Sequence, residues 1–365
     1  MSGAIIELVS KGVQDVYITD SAGLSFFKMK YQRHTNFAQV PKKLGFTGQL
    51  PAANGTSVVK IERLGDLINQ MWMEGSSGVF ENFQGTVFDL YVGGQRIDSQ
   101  TYDFMNDIWQ VYMVESYTKS LHKNNSSTSF FPLHFFFCDN DMFLPLVSLQ
   151  YTEVEIHITW GPNVNLSGSR YINCYANYVY LDSTERDEMV AKEMDLIITQ
   201  VQRYAYPLVT GKNNTIDLGL LNHPVKSIYF GFEYKKQEAS TRLDSFTFDS
   251  ADMQLNGTYS FEDMTPVYFH VVQCYYKSKF GNLGFNYDTG APLYTRYFVY
   301  NFCLDASSYK PTGTCNFSRL DNAKLMLKNV TVAAGRTTDN DIKVYAVNYN
   351  VLRIKKGLAG IIFAN

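Results

Sequence analysis

Apolar and polar residues alternate along most of this chain. Val154, Ile156 and Ile158 stand against Glu153, Glu155 and His157, the period of two expected of a strand buried on one face. Phe88, Leu90 and Val92 alternate in the same way with Asp89 and Tyr91, and Gly93-Gly94 follows as a tight-turn signal. In the second half Ile228, Phe230, Phe232 and Tyr234 share one face, and Ala323, Leu325 and Leu327 alternate with Lys324 and Lys328. Asn256-Gly257 marks a further hairpin. Short strands are predicted at Val16, Ile18, Leu24–Phe27, Val58–Ile61, Cys174–Leu181 and Thr215–Leu221, and the longest β stretch of the first half is Phe131–Ile158. Asp66–Trp72 fits a short helix or a strand.

One segment breaks the pattern near the midpoint. Leu181–Arg203 opens with the N-cap candidates Asp182, Ser183 and Thr184, followed by Glu185, Asp187 and Glu188 at the positive end of a helix dipole. Thr184 and Asp187 have capping-box spacing, and Glu188 and Lys192 form an i,i+4 pair. From Leu196 to Val201 the residues turn β-branched, so the chain leaves this helix as a strand. The expectation is two β units of similar size hung on a helical joint. Their order repeats weakly: strand, glycine turn, acidic loop and aromatic strand over Val87–Tyr112 return over Asp252–Tyr276. Many strands with little helix indicate sandwiches or jelly rolls.

Composition narrows the function. The chain has 365 residues, enough for two cores, with 18% charged residues and a formal net charge of -3. That balance lacks the one-sided basic surface of a nucleic-acid binder. Aromatics reach 15%, which suits strands and large contacts between chains. Five cysteines, Cys138, Cys174, Cys274, Cys303 and Cys315, make no C-x-x-C pair, as expected of reduced thiols in a cytosol-like compartment. Met1–Val16 lacks a secretory pattern, and no apolar run approaches the roughly 20 residues of a membrane span.

Chemistry-bearing motifs are sparse. Cys138-Asp-Asn-Asp141 lacks the glycine and distal glutamate of a calcium loop and reads as a β-turn. His34, His122, His134, His157, His223 and His270 are scattered without ligand spacing. Gly75-Ser-Ser-Gly78 reads as a flexible loop, and neither a nucleophile elbow nor a phosphate-binding loop occurs. N-x-[ST] sequons stand at Asn54, Asn124, Asn125, Asn165, Asn213, Asn256, Asn316 and Asn329. No catalytic, cofactor-binding or metal-binding residue is assigned, and no cofactor is expected.

Specific resemblance comes from Pro311-Thr-Gly-Thr-Cys-Asn-Phe-Ser-Arg319-Leu-Asp-Asn-Ala323. This run closely resembles a signature of the major capsid proteins of nucleocytoplasmic large DNA viruses. Gly12–Tyr17, Phe26–Lys28 and Arg33–Phe37 look like the family's N-terminal arm, and Gly93–Asp98 and Leu144–Tyr151 like its first jelly roll. Leu221–Lys226 and Gln254–Gly257 look like the second, and Tyr345–Arg353 with Gly357 like its C-terminal strand.

The resemblance implies an all-β chain of two tandem eight-stranded jelly rolls joined by a short helical linker. It divides into an arm (1–24), a first jelly roll (25–182), a helix and linker (183–203) and a second jelly roll (204–365). It further implies a non-enzymatic structural protein: a homotrimer of pseudo-hexagonal outline that tiles an icosahedral shell, assembled in the host cytoplasm. Its partners would be neighbouring capsomers and penton and minor capsid proteins, with no direct nucleic acid. Contact with an inner viral membrane would be indirect, although Lys355-Lys356 could meet an anionic head group. In the signature, Pro311 and Gly313 would fix a turn, and Asn316, Ser318, Arg319, Asp321 and Asn322 would bond backbone at a corner. The rival reading is a carbohydrate-binding β-sandwich, which needs exposed aromatic platforms.

Overall fold

The computed structural model describes residues 34–109, 112, 128–139, 142–166, 168–209, 211–232, 246–278, 297–332 and 341–363. The arm at 1–24, the strands expected before Phe27 and the sequons at Asn124 and Asn125 lie outside them. The chain divides into two units, Met1–Asn36 and Phe37–Asn365, and both β cores belong to the second.

Its first half holds β1 (Phe37–Leu44), β2 (Phe46–Gly48), β3 (Thr56–Lys60), β4 (Leu67–Ser76), β5 (Val87–Val92), β6 (Gln95–Thr101), β7 (Thr128–Pro132), β8 (Leu144–Pro145), β9 (Val154–Thr159) and β10 (Ile172–Leu181). Helix α1 (Ser183–Ala191) comes next. The second half holds β11 (Met194–Pro207), β12 (Asn214–Asp217), β13 (Pro224–Phe232), β14 (Phe246–Thr247), β15 (Ser250–Leu255) and β16 (Thr258–Met264). After a helical segment come β17 (Tyr297–Asn301), β18 (Cys315–Asn316), β19 (Ala323–Lys328), β20 (Thr331–Val332), β21 (Asp341–Lys355) and β22 (Leu358–Ile361).

The two halves repeat strand for strand. One sheet of the first runs β1-β10-β4-β7 and its counterpart runs β11-β21-β13-β17; the facing sheets run β3-β9-β5-β6 and β12-β19-β15-β16. Eight strands in two facing four-stranded sheets is the jelly roll, present twice; β2, β8, β18, β22 and the β14-β20 pair are additions to it. The alternation along β5, β9 and β19 is realised, with Phe88, Leu90, Ile156, Ile158, Leu325 and Leu327 fully buried. Each such side chain contributes about 1.5–3 kcal/mol of burial free energy. Gly93-Gly94 and Asn256-Gly257 both take paired positive φ values, as a hairpin compatible with strand twist requires. A third such pair is Lys356-Gly357, at the tip between β21 and β22.

Several expectations change. The helix is only Ser183–Ala191, so the 183–203 span expected as helix and linker holds the start of β11 from Met194. The strand expected from the β-branched run Leu196–Val201 is present and longer, Met194–Pro207, pairing along its whole length with β21. Asp182 is the N-cap but its side chain makes no capping bond. The Glu188–Lys192 pair forms at 3.1 Å. Phe131–Ile158 is not continuous: its strands end at Pro132 and Pro145, and Phe136–Cys138 and Leu146–Ser148 are 3-10 turns. The aromatic runs predicted as strands are helical instead, as π-helical turns at Phe104–Trp109 and Tyr268–Val272, the second leading into α2 (Gln273–Lys277). Neither run has a period of two. Gly75 lies inside β4 rather than in a loop, and a Cβ there would meet Val79 Cγ1 at 2.5 Å.

The ladder of β11 with β21 runs from Met194↔Ile354 to Pro207↔Asp341. One end, with Ile198, Leu352 and Ile354, closes the first core; the other, with Ile342, Val344 and Ala346, closes the second. A single ladder therefore walls both barrels.

Candidate assembly surface

The joint between the barrels is the most elaborated surface of the molecule. The turn after β6 supplies Phe104, Ile108 and Tyr112, which pack on Tyr229, Tyr297, Val299, Tyr345 and Val347. Neighbours of these residues in sequence (Ile228, Phe230, Phe298, Val344 and Ala346) point into the second core. Strand alternation thus gives the β21-β13-β17 sheet two apolar faces, one for its own barrel and one for the other. Phe104 lies 5.6 Å from the Tyr345 ring and Tyr112 5.5 Å from Tyr229. The Tyr112 hydroxyl donates to the Tyr297 carbonyl, and Thr101 Oγ1 and the Tyr345 hydroxyl are 3.2 Å apart. Burial pushes the Tyr112 phenol well up, so it stays a neutral donor.

Polar bonds fix the register of this joint. Asp98 on β6 accepts from Val201 N of β11 at 2.9 Å and from Gln100 Nε2 at 2.6 Å. Burial raises its carboxyl to about 6, against the pull of those donors, and Asp89 adds to the rise. Gln200 Nε2 donates to the Ile97 carbonyl. A cleft of about 530 Å³ opens beside these groups, lined by Gln95, Arg96, Asp98, Gln202, Arg203 and Tyr204 among others.

A second buried polar group occupies another part of the joint. His134 stacks on Trp109 with ring centroids 3.8 Å apart, and its Nδ1 is 3.8 Å from Asp139. Lys226 of β13 donates to the Ser308 carbonyl at 2.7 Å. Burial lowers both His134 and Lys226 and raises Asp139 to about 6, with Lys226 pulling the acid down. Across the joint these groups are linked by charge, Lys226 of the second barrel favouring the ionised form of Asp139 of the first. Cys138, Cys174 and Cys274 are pushed by burial to about 12, far from a reactive thiolate. Among the described residues no group of His, Cys, Asp and Glu could hold a metal ion.

The capsid-signature residues form a corner in which two of the five side chains expected to bond backbone, Asn316 and Ser318, do so. Gly313 takes φ +139 with the Phe302 carbonyl 3.2 Å from where a Cβ would stand. Asn316 Oδ1 accepts from Ser318 N at 3.1 Å, and Ser318 Oγ accepts from His223 N at 2.8 Å. Asp321 and Asn322 contribute backbone amides instead of side chains, both donating to Asn256 Oδ1. The sequon amide of Asn256 is thereby committed to the fold. Lys355 pairs with Glu193 at 2.9 Å. The carbohydrate rival gains no exposed tryptophan: Trp160 is buried, and Trp72 and Trp109 are half-buried under Tyr175 and His134. Sequence reasoning did not single out Tyr112, Tyr229, Tyr345 or Asp98. Their signal was the internal repeat, since nothing in their local pattern separates them from core aromatics.

Comparison with known proteins agrees with this architecture. Residues 25–182 match the family described as major capsid protein N-terminus, and residues 185–360 match that described as large eukaryotic DNA virus major capsid protein. The chain is similar to the major capsid protein of Pyramimonas orientalis virus, 32% identical with both chains wholly covered. It is 29% identical to that of Paramecium bursaria Chlorella virus 1, again over the whole of both chains. The solved PBCV-1 VP54 structure superposes with a TM-score of 0.78 at 25% identity, covering 93% of this chain and 100% of the other. The Faustovirus major capsid protein shares the fold alone, with a TM-score of 0.68 at 10% identity and 95% of each chain covered.

Proposed function

The chain belongs to the major capsid protein family of large eukaryotic DNA viruses, and from that premise we propose that three copies close into one capsomer of pseudo-hexagonal outline. Its role is structural, in the virion capsid, assembled with other capsid subunits. The observation that carries the finer reading is the strand-for-strand repeat of one jelly roll within one chain. Two like barrels per chain give six per trimer. A threefold ring then presents six similar sides to a lattice, and heterologous contacts that close on themselves make rings.

In this reading residues 25–182 and 204–365 are the two building blocks, and α1 is a strap between them. Its Arg186 reaches back to Asp66 on the first barrel at 2.9 Å. The trimers tile an icosahedral shell with penton and minor capsid proteins, and assembly takes place in the host cytoplasm. Catalysis has no part in it. Light scattering on purified protein tests the reading: a species of three times 41.6 kDa is expected, with hexagonal outlines in negative-stain images. A stable monomer at high concentration contradicts it.

A further inference from the structure

The repeat extends to the surface that joins the barrels, and this carries an inference that rests on the three-chain reading. The turn at Phe104–Trp109 follows the β5-β6 hairpin, and the helical segment Tyr268–Lys277 follows the equivalent β15-β16 hairpin. Tyr112 stands eight residues after Phe104, and Tyr276 eight after Tyr268. Their surroundings are opposite. Tyr112 is 4% exposed, sealed against the second barrel; Tyr276 is 74% exposed and touches Tyr275, itself 79% exposed.

The receiving face repeats too. On the second barrel, Tyr229 of β13 lies opposite Tyr345 of β21 and Val299 of β17, and on the next outward rung Gly231 lies opposite Tyr297. On the first barrel the same strands in the same order place Trp72 of β4 opposite Tyr175 of β10 and Pro132 of β7, with Glu74 opposite Phe130 on the next rung. In the second barrel this row is buried by Phe104 and Tyr112. In the first barrel Trp72 and Tyr175 stack at 5.7 Å with their outer faces half open, and Phe130 is 41% exposed.

We infer that the helical segment ending in Tyr275-Tyr276 docks on the Trp72–Tyr175–Pro132–Phe130 face of a second copy of this chain. The contact reproduces between chains the one that Tyr112 makes within a chain. The Tyr276 hydroxyl takes the place of the Tyr112 hydroxyl and donates to the Phe130 carbonyl of the neighbour, as Tyr112 donates to Tyr297. Tyr275-Tyr276 is exposed and the receiving row is half open and mostly aromatic, its one carboxylate, Glu74, accepting from the Trp72 indole N–H at 2.9 Å. Each is the repeat of a surface already buried, and aromatic anchors of this kind dominate interface energetics. Used once within and once between chains over three chains, the step returns to its start after six barrels, so no edge is left over.

The test uses the full chain. Tyr276→Cys and Phe130→Cys are introduced together, the assembled protein is treated with a short bismaleimide, and products are resolved on a denaturing gel. Covalent dimers and closed trimers are expected, beyond anything formed by either single variant. A protein that is trimeric by light scattering yet gives no such products overturns this contact and leaves the three-chain reading standing. An unsubstituted protein that remains monomeric removes both. In parallel, Tyr276→Ala is expected to raise the concentration for half-dissociation of the trimer at least about tenfold, while the melting temperature of the dissociated chain stays unchanged. Tyr259→Ala, an exposed tyrosine on β16 outside this contact, is expected to leave dissociation as it was. Equal dissociation of the Tyr276→Ala and Tyr259→Ala proteins also overturns the contact.

Discussion

The two barrels have one topology and unequal independence. The second core is built wholly from residues of its own half, from Ile216 to Ala346. The first core borrows Ile198, Leu352 and Ile354, with Leu196, Ala359 and Ile361 packed against it. The β21-β22 hairpin is stitched to the first barrel by polar bonds as well. Thr152 Oγ1 donates to the Gly357 carbonyl at 3.1 Å, Tyr151 N donates to the same carbonyl at 3.0 Å, and Ile361 N donates to Gln95 Oε1 at 3.3 Å. The first barrel is therefore complete only once the C-terminal strands are in place. A repeat need not make two self-sufficient domains; here the last strands of one copy finish the wall of the other.

The largest effect that would sharpen this contrast is truncation. Residues 34–182 alone are expected to lack a cooperative thermal transition and to bind a hydrophobic dye, because the core loses its closing wall. A sharp calorimetric unfolding peak from that fragment would break the comparison. Next in size is Tyr345→Ala. It empties a fully buried aromatic site at the joint and removes a partner of Thr101, and about 3–5 kcal/mol is expected in denaturant unfolding. Leu352→Ala tests the borrowed core within the intact chain, with about 2–5 kcal/mol expected. Trp72→Ala, at the equivalent row of the first barrel, is expected to cost the unassembled chain about 1 kcal/mol or less, and to weaken assembly instead.

A smaller effect depends on pH. Asp98 is raised to about 6 in the folded chain from an ordinary 3.8. The folded state thus binds this proton more tightly than the unfolded chain. The associated stabilisation is full below the unfolded value and is lost as pH rises through about 6. Lowering pH from 7.5 to 5 should therefore strengthen the joint by an amount on the order of 1 kcal/mol. Asp98→Asn keeps an oxygen to accept from Val201 N and cannot titrate, so it should flatten this part of the stability profile in urea titrations at the two pH values. An unchanged profile would contradict the assignment. Smallest is Arg186→Ala: its ion pair with Asp66 is half exposed, so the loss should stay below about 1 kcal/mol.

Much of this architecture was legible in the chain. Period-two alternation located β5, β9 and β19, because each faces a core on one side and water or the joint on the other. The Asn256-Gly257 and Gly93-Gly94 pairs marked hairpins because only such residues take two successive positive φ values cheaply. The signature at Pro311–Ala323 carried the family. Illegible were the features that depend on partners distant in sequence. Phe104–Trp109 and Tyr268–Val272 lack a strand period, because a turn pressed between packed elements is apolar on more than one side. The strand at Leu196–Val201 was legible, but its full length to Pro207 depends on β21, well over a hundred residues later. Tyr112 is buried against the second barrel, whereas Tyr276, at the same offset in the repeat, is exposed in the single chain.

The central claim is that one docking step, barrel onto barrel, is used both within and between chains. A cryo-electron microscopy map of the purified capsomer, resolved well enough to place both barrels of every chain, measures it directly. The rotation carrying the first barrel to the second within a chain, and that carrying the second to the first of the next chain, should each be about 60° about one common axis. A twofold dimer, or two unrelated rotations with Tyr276 left in solvent, would contradict the account.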